Sequence, residues 1–412
     1  MQILFIHQNI PGQFRHLIAD LIKERDTQVW ALGEASRVKA NWKNVVPGLN
    51  LYGYAFQEKA VTPLNAYLRT TDVNLRRGLA VAKSLETLKT KGLNPDVVFG
   101  HPGWGEMLFV RDVFPHARIV NYCEFYFNTE GQDLGFDPEF PEKATLRYDV
   151  RAQNMTQSQS LLAGDVGISP THWQKSRYPN ALGAQIKVVF DGIDCDIVKP
   201  NPGATFDLEK AGASLCAKDE VITFVNRNLE PHRGFHVFMR ALPEIQRLRP
   251  NAHVVIVGGD GASYSRPSTN GTYRQHYSKE IDGRVNWDRI HFVGRIPYAR
   301  YLSLLQVSTV HVYLSYPFVL SWSLMEALAA SCLVIASRTP AIEEVIEDGY
   351  NGLLVDFFDH AHLALQIDAA CRSPSSFSAI RDRARRRIVD DYELHNVCLP
   401  QFKQLLLSRI AG

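Results

Sequence analysis

Residues 309–330 read TVHVYLSYPFVLSWSLMEALAA, and this stretch decides the architectural class. Thr309–Leu314 is a short, β-branched apolar run of the kind buried on both faces of a parallel sheet. Tyr316-Pro317 interrupts it. A helix follows from Ser321 to Ala330, with Ser321 or Ser323 placed to cap it. Strand, loop and helix make one β/α step, and the step repeats. Downstream, strands are expected at Cys332–Ala336 and Leu353–Asp356 around a helix at Ala341–Glu347. Upstream in the same half, strands fall at Val221–Arg227, His253–Gly258 and Arg289–Val293, with helices at Gly234–Leu248 and Pro297–Gln306. The first half carries strands at Gln2–His7, Gln28–Leu32, Asp96–His101, Arg118–Tyr122, Asp165–Ser169 and Lys187–Phe190. Its helices are Gln13–Arg25, Leu75–Lys89, Glu106–Val113 and Pro141–Ala163. Such alternation builds parallel sheets with helices on both faces.

Lys199-Pro200-Asn201-Pro202-Gly203 breaks the alternation and suits a linker. The chain therefore reads as α/β, with two tandem Rossmann-like domains, 1–198 and 199–395. The polar Asp260–Asp288 segment reads as an excursion loop of the second. A length of 412 residues fits two domains, and 45% hydrophobic with 21% charged residues excludes disorder, collagen and coiled coil. Residues 1–199 hold 22 basic and 21 acidic side chains, so neither half is a basic nucleic-acid module. Six cysteines form no C-x-x-C pair and there is no H-E-x-x-H, which argues against a disulfide framework or a zinc site. A reducing, cytoplasmic setting is expected. MQILFIHQNI reads as a core strand rather than a signal peptide, and no run of eighteen apolar residues exists to span a bilayer.

Open parallel sheets bind ligands beyond the carboxyl ends of their strands, so residues just after strands carry most weight. After the first strand, Gln8–Phe14 offers Pro11-Gly12 in a phosphate-loop position but lacks G-x-G-x-x-G, which argues against a dinucleotide site. His101 ends another strand, ahead of Pro102-Gly103-Trp104-Gly105, where a histidine could act on a hydroxyl or phosphate or simply cap its loop. Glu124 follows the next strand. Its neighbours Tyr122, Phe125, Tyr126 and Phe127 fit either a sugar-stacking wall or plain core. Arg227 and Arg233 straddle Pro231 at a strand end and helix start, and arginine forks suit phosphate oxygens. In the 309–330 stretch, open amides at the start of the helix would favour a diphosphate. Glu326 sits in an otherwise apolar helix and needs partners, ribose hydroxyls or a buried Arg and amides. Asp194-Cys195-Asp196 reads as a structural turn rather than a metal motif, and no obligatory metal is expected. Arg381–Arg387 holds five arginines, either a solvated helix face or a contact for an anionic membrane at its inner face.

Together these features resemble the retaining, nucleotide-sugar-dependent glycosyltransferases of family 4 (group 1), with the GT-B fold. The resemblance runs through Pro11-Gly12, His101, Asp191-Gly192-Ile193-Asp194, Arg227, Arg233-Gly234, Val293-Gly294, Glu326-Ala327 and Asn351–Val355. It implies two domains facing each other across a cleft, with a C-terminal helix (within 396–412, near Leu399–Ile410) returning to the first. It also implies a nucleoside-diphosphate sugar donor, held by Gly12, Arg227, Arg233, Gly294, Arg295, Leu320, Ser321, Trp322 and Glu326. Arg233 replaces the usual Lys. Glu326 matches the second Glu of the family's E-x7-E, whereas Phe318 stands at the first and Ser321 replaces the following Gly. Either His101 or Glu124 would serve at the reacting centre of the first domain, and Arg227 and Arg233 would stabilise the leaving diphosphate. The implied chemistry is front-face glycosyl transfer, with retention, to a saccharide, lipid-linked or small-molecule acceptor. The competing readings are a binding or partner protein on the same scaffold and, less favoured, an NAD-dependent oxidoreductase.

Overall fold

The computed structural model describes residues 1–40, 46–57, 65–209, 211–269 and 271–408. They form two compact units, Met1–Gly192 with His395–Gly412, and Ile193–Leu394. The first unit is built on seven parallel strands: β1 (Gln2–Ile6), β2 (Gln28–Glu34), β3 (Asn50–Tyr54), β4 (Val97–Gly100), β5 (Arg118–Tyr122), β6 (Val166–Ser169) and β7 (Ile186–Val188). Their order is β3-β2-β1-β4-β5-β6-β7. Ile3–Ile6 and Val98–Phe99 are completely buried, as expected of central strands covered on both faces. β1 pairs with β4 from Ile3↔Val97 to Ile6↔Gly100, which brings the loops after both strands to one edge.

The second unit opens with an antiparallel hairpin, β8 (Thr205–Leu208) and β9 (Ala213–Cys216). Six parallel strands follow: β10 (Val221–Asn228), β11 (His253–Gly259), β12 (Ile290–Gly294), β13 (Val310–Tyr313), β14 (Val334–Ser337) and β15 (Leu353–Val355). Their order is β12-β11-β10-β13-β14-β15. In each sheet the order reverses once, between β1 and β4 and between β10 and β13. These are the switch points at which doubly wound sheets bind ligands.

Several expectations need correction. The boundary lies at Gly192/Ile193, not at the Pro/Gly linker. Ile193 bridges to Glu393, and Arg385 donates to the carbonyls of Val198 and Cys195, so 193–198 are bonded into the second unit. Similarly the first unit resumes at His395. The helix expected over Leu399–Ile410 is Leu399–Leu407, and Ile410 lies outside the described residues. Asp260–Asp288 is not all loop: Tyr273–Ile281 is a helix, started by a Thr272/Gln275 capping box. β3 and the β8–β9 hairpin are additions to the expected elements. Four of the five arginines of 381–387 are engaged, and Arg386 alone is exposed without a partner among the described residues, so the run is not a free basic patch. Arg381 donates to the Thr309 carbonyl at 2.7 Å, Arg383 to that of Tyr350 at 2.6 Å, and Arg385 to that of Ala329.

Candidate active site

In the first unit three loops meet beyond β1, β4 and β5. His101 leads into the turn Pro102–Trp104, and its Nδ1 accepts the Gly103 amide at 3.0 Å. Its Nε2 lies 3.2 Å from Glu124 Oε2, so Nε2 carries the proton. Gln13, from the β1 loop, donates to Glu124 Oε1 at 3.2 Å. Packing around Glu124 would raise its pKa. The hydrogen bonds and charge of His101, with the hydrogen bond of Gln13, more than offset this and hold the carboxyl below its ordinary value. The two sequence alternatives, His101 and Glu124, are therefore partners.

The dyad has a rigid backing. Trp104 stacks on His101 at 3.9 Å between ring centroids. His7 stands edge-on to Trp104 at 5.3 Å, and burial with nearby His101 lowers its pKa to about 3. The His7 imidazole is neutral, accepting the Asn9 amide at Nδ1. Gly12 lies directly over this ring: its φ is +50°, and a Cβ there would sit 2.8 Å from His7 Cε1. Gly105 is equally constrained, with φ +92° and a Cβ position 2.0 Å from the Asn74 carbonyl oxygen. Asn74 and Arg77 hold the loop through the carbonyls of Gly103 and Trp104. Beneath it Glu106 is fully buried and accepts the Tyr54 hydroxyl at 2.6 Å. Burial pushes its carboxyl up to about 7. Of the aromatic wall, Tyr122 and Phe125 are core residues, and the Tyr122 hydroxyl donates to Asp191 at 2.7 Å.

In the second unit the candidates gather beyond β10, β12 and β13. Arg227 is exposed at the end of β10 and makes no ion pair or hydrogen bond among the described residues. Arg233 is 7% exposed. It donates to Ser315 Oγ at 2.8 Å and to the Tyr313 hydroxyl at 3.3 Å, and lies over the rings of Tyr264 (5.1 Å) and Phe318 (5.6 Å). Burial works against its charge, but Tyr313, Tyr264 and Glu230 around it raise the pKa above the usual arginine value. Phe318 packs edge-on to His232 at 4.6 Å, in the place of the family's first Glu. Buried Glu230, unforeseen in the sequence, uses one oxygen, Oε2, to accept three successive amides, Ser263, Tyr264 and Ser265, at 2.8–3.0 Å. That carboxylate seats Tyr264 against Arg233.

Glu326 accepts the Tyr298 hydroxyl at 2.7 Å, while the buried Tyr301 beside it points its hydroxyl at the Ser323 carbonyl at 3.5 Å; among the described residues neither a buried Arg nor amides hold the carboxylate. Burial raises its carboxyl above the ordinary value. Arg295 donates to Asn228 Oδ1 at 2.9 Å, and Gly294 has φ +66° with open space beside it. Leu320 is buried, and Trp322 opens the Trp322–Ala329 helix. The amides expected to be open there are partly engaged, because Ser321 takes the Ser323 amide on its side chain and the Leu324 amide on its carbonyl. Asp194 Oδ1 accepts the amides of Asp196 and Ile197, a structural turn. Among the described residues no group of three or more His, Cys, Asp or Glu is placed to hold a metal ion.

Two doubly wound parallel units, each with its polar cluster at the switch point, define a GT-B fold protein. Its relatives are glycosyltransferases: residues 25–198 match the glycosyl transferase family 4 group, and residues 207–387 match the glycosyl transferases group 1. A phosphatidylinositol N-acetylglucosaminyltransferase component from Arabidopsis thaliana is 25% identical over 260 residues, 61% of this chain and 49% of that protein. The chain thus spans about half the length of this curated relative. Among solved structures, the sucrose-phosphate synthase of Thermosynechococcus elongatus superposes with a TM-score of 0.73 at 17% identity, covering 98% of each chain. Anabaena Alr3699/HepE in complex with UDP gives a TM-score of 0.65 at 17% identity, covering 98% of this chain and 99% of its own. These likenesses concern the fold.

Proposed function

We propose that the chain transfers a glycosyl group from a nucleoside-diphosphate sugar to an acceptor hydroxyl, with retention and without an obligatory metal. The observation that carries this is the placement of charge at the second switch point: Arg227 at the end of β10, Arg233 just after it, and Glu326 after β13. Glu326 is a carboxylate held by the Tyr298 hydroxyl, a good acceptor for ribose hydroxyls. Arg227, unpaired among the described residues, is open to an incoming phosphate. Arg233, its fork already engaged, supplies fixed positive charge close behind. As the sugar–phosphate bond breaks, negative charge grows on the leaving diphosphate, and positive charge already in position stabilises it without reorganisation. In the first unit, the His101–Glu124 dyad would hold a sugar or acceptor hydroxyl. No side chain is assigned as covalent nucleophile, and the leaving phosphate would take the acceptor proton on the same face.

The UDP bound by the Anabaena neighbour makes UDP the first probe. Thermal shifts with UDP, GDP, ADP, CDP, dTDP and NAD in the presence of a chelator test the reading. At a hundred times the dissociation constant, binding should add about 2.7 kcal/mol. One nucleoside diphosphate should stabilise the chain, and Glu326→Ala should cut that stabilisation to about 0.3–1.4 kcal/mol at the same ligand concentration. A response to NAD alone would overturn the proposal, and nucleotide binding without turnover of any sugar donor would favour a non-catalytic partner protein.

A further inference from the structure

Parts of the two helices that hold the His101 loop, Arg69–Thr90 and Leu146–Leu162, expose apolar side chains while burying polar ones. Leu146–Leu162 buries Asn154, Thr156, Gln157 and Ser160. Its exposed side carries Tyr148, Met155 and Leu162, which are 49%, 51% and 68% exposed. A surface helix normally does the reverse. The buried polar groups are satisfied, since Asn154 bonds both the amide and the carbonyl of Phe127, and Gln157 donates to Asn154. The exposed three recur every seventh residue and so form one stripe. On the other helix Leu75 and Leu79, one turn apart, are exposed as well. The two helices lie side by side: the Tyr67 ring meets Tyr148 at 5.9 Å, and Thr71 donates to the Ala152 carbonyl at 3.3 Å. Both stripes flank that seam.

Along the apolar stripe the exposed cations Arg69, Arg147 and Arg151 outnumber the exposed carboxylate of Asp149. Arg69 and Arg151 are exposed and have no ion-pair partner among the described residues. Asp72 is neutralised by Arg76 at 2.9 Å, and the Arg147 guanidinium lies 4.8 Å over the Tyr148 ring. We propose that this face docks the protein on an anionic lipid bilayer, with the Leu, Met and Tyr side chains at the headgroup boundary and the arginines on lipid phosphates. A second copy packed symmetrically on the same patch would set arginine against arginine. No described helix is long and apolar enough to cross a membrane, so the contact is peripheral. Because Asn74 and Arg77, on the buried side of the Arg69–Thr90 helix, hold the carbonyls of Gly103 and Trp104, docking of that helix sets the His101 loop behind the lipid-facing surface. The acceptor class this implies is lipid-linked, a step that rests on the glycosyltransferase reading.

The test is co-sedimentation of the full chain with phosphatidylcholine vesicles, with and without phosphatidylglycerol. Binding should require the anionic lipid and weaken with added salt. Neutralising Arg69 and Arg151 together should lower partitioning about 25-fold, at about fivefold per arginine. Leu75→Ser with Met155→Ser should lower it further, while far-UV circular dichroism and the UDP thermal shift report that the variants are folded. Failure to bind anionic vesicles, or unchanged binding by both variants, overturns the proposal. So does a dimer seen by light scattering that dissociates in the Leu75/Met155 variant, which would assign the face to a second copy. Vesicle binding without any nucleotide response would leave the docking surface standing and sink the transferase reading alone.

Discussion

Glu124 Oε2 stands 3.2 Å from His101 Nε2, and with the Gly103 amide on Nδ1 this contact fixes which ring nitrogen carries the proton. Glu124→Ala should therefore cost activity by freeing the ring. The loss of a charge-assisted bond of about 1.5–3 kcal/mol corresponds to a roughly 10- to 150-fold fall in kcat. The KM for the donor should change little, because the proposed nucleotide site lies in the other unit. Glu124→Gln should recover part of the loss, and a change in KM alone would contradict the assignment.

Glu326→Ala should raise the Kd of the nucleoside diphosphate by a similar roughly 10- to 150-fold, measured by titration calorimetry. Tyr298→Phe should do much less, because it removes one neutral hydrogen bond and leaves the carboxylate in place. If Tyr298→Phe is the more damaging change, the carboxylate is structural and the ribose role fails.

Gly12→Ala places a Cβ 2.8 Å from the His7 ring at a φ of +50°. Urea unfolding should show a loss of about 1–3 kcal/mol, part backbone strain and part collision. Gly92→Ala is the control for strain, since its φ is +96° and its Cβ would meet nothing within 4 Å. Equal losses at the two sites would show that His7 moves aside freely.

Glu106 has its carboxyl raised to about 7 from 4.5, so the folded chain binds more protons than the unfolded chain between those values. The sign is that this group costs stability as pH rises from about 4.5 through about 7. Glu106→Gln, which keeps an acceptor for Tyr54, should be near neutral at pH 4.5. At pH 8 it should stabilise the protein by up to roughly 3 kcal/mol. His7 acts in the opposite sense: with its pKa lowered to about 3, stability falls as pH drops from 6.5 toward that value. A pH-independent effect of Glu106→Gln in urea titrations would contradict the burial argument.

The parallel strands were legible because burial on both faces leaves continuous runs such as Ile3–Ile6 and Val254–Val257. β3 was not, because Asn50-Leu51-Tyr52-Gly53-Tyr54 carries a glycine and polar-tipped aromatics. The 273–281 helix was hidden by its composition, although Thr272 and Gln275 stand at capping-box spacing. At the candidate site, position after a strand singled out His101, Glu124, Arg227, Arg233 and Glu326. It could not reveal that His101 and Glu124 touch, that Tyr298 holds Glu326, or that His7 and Gln13 complete the first cluster. Those facts come from the meeting of separate loops, and spacing along the chain carries no record of it. The run Arg381–Arg387 misled for the same reason, since its carbonyl partners lie far away in sequence.

Glu230 grips Ser263, Tyr264 and Ser265 by their peptide amides rather than by their side chains. Such a clasp is indifferent to what the three residues are, so long as none is proline. Ser263 Oγ also accepts from Asn228 at 2.6 Å and Ser265 Oγ from the His232 amide at 3.1 Å, so the flanks are pinned and Tyr264, whose ring covers Arg233, is the position that can change its chemistry while the path stays put. A library at position 264 would survey what that cover does on one fixed backbone, and Glu230→Gln would release the backbone and scatter the result.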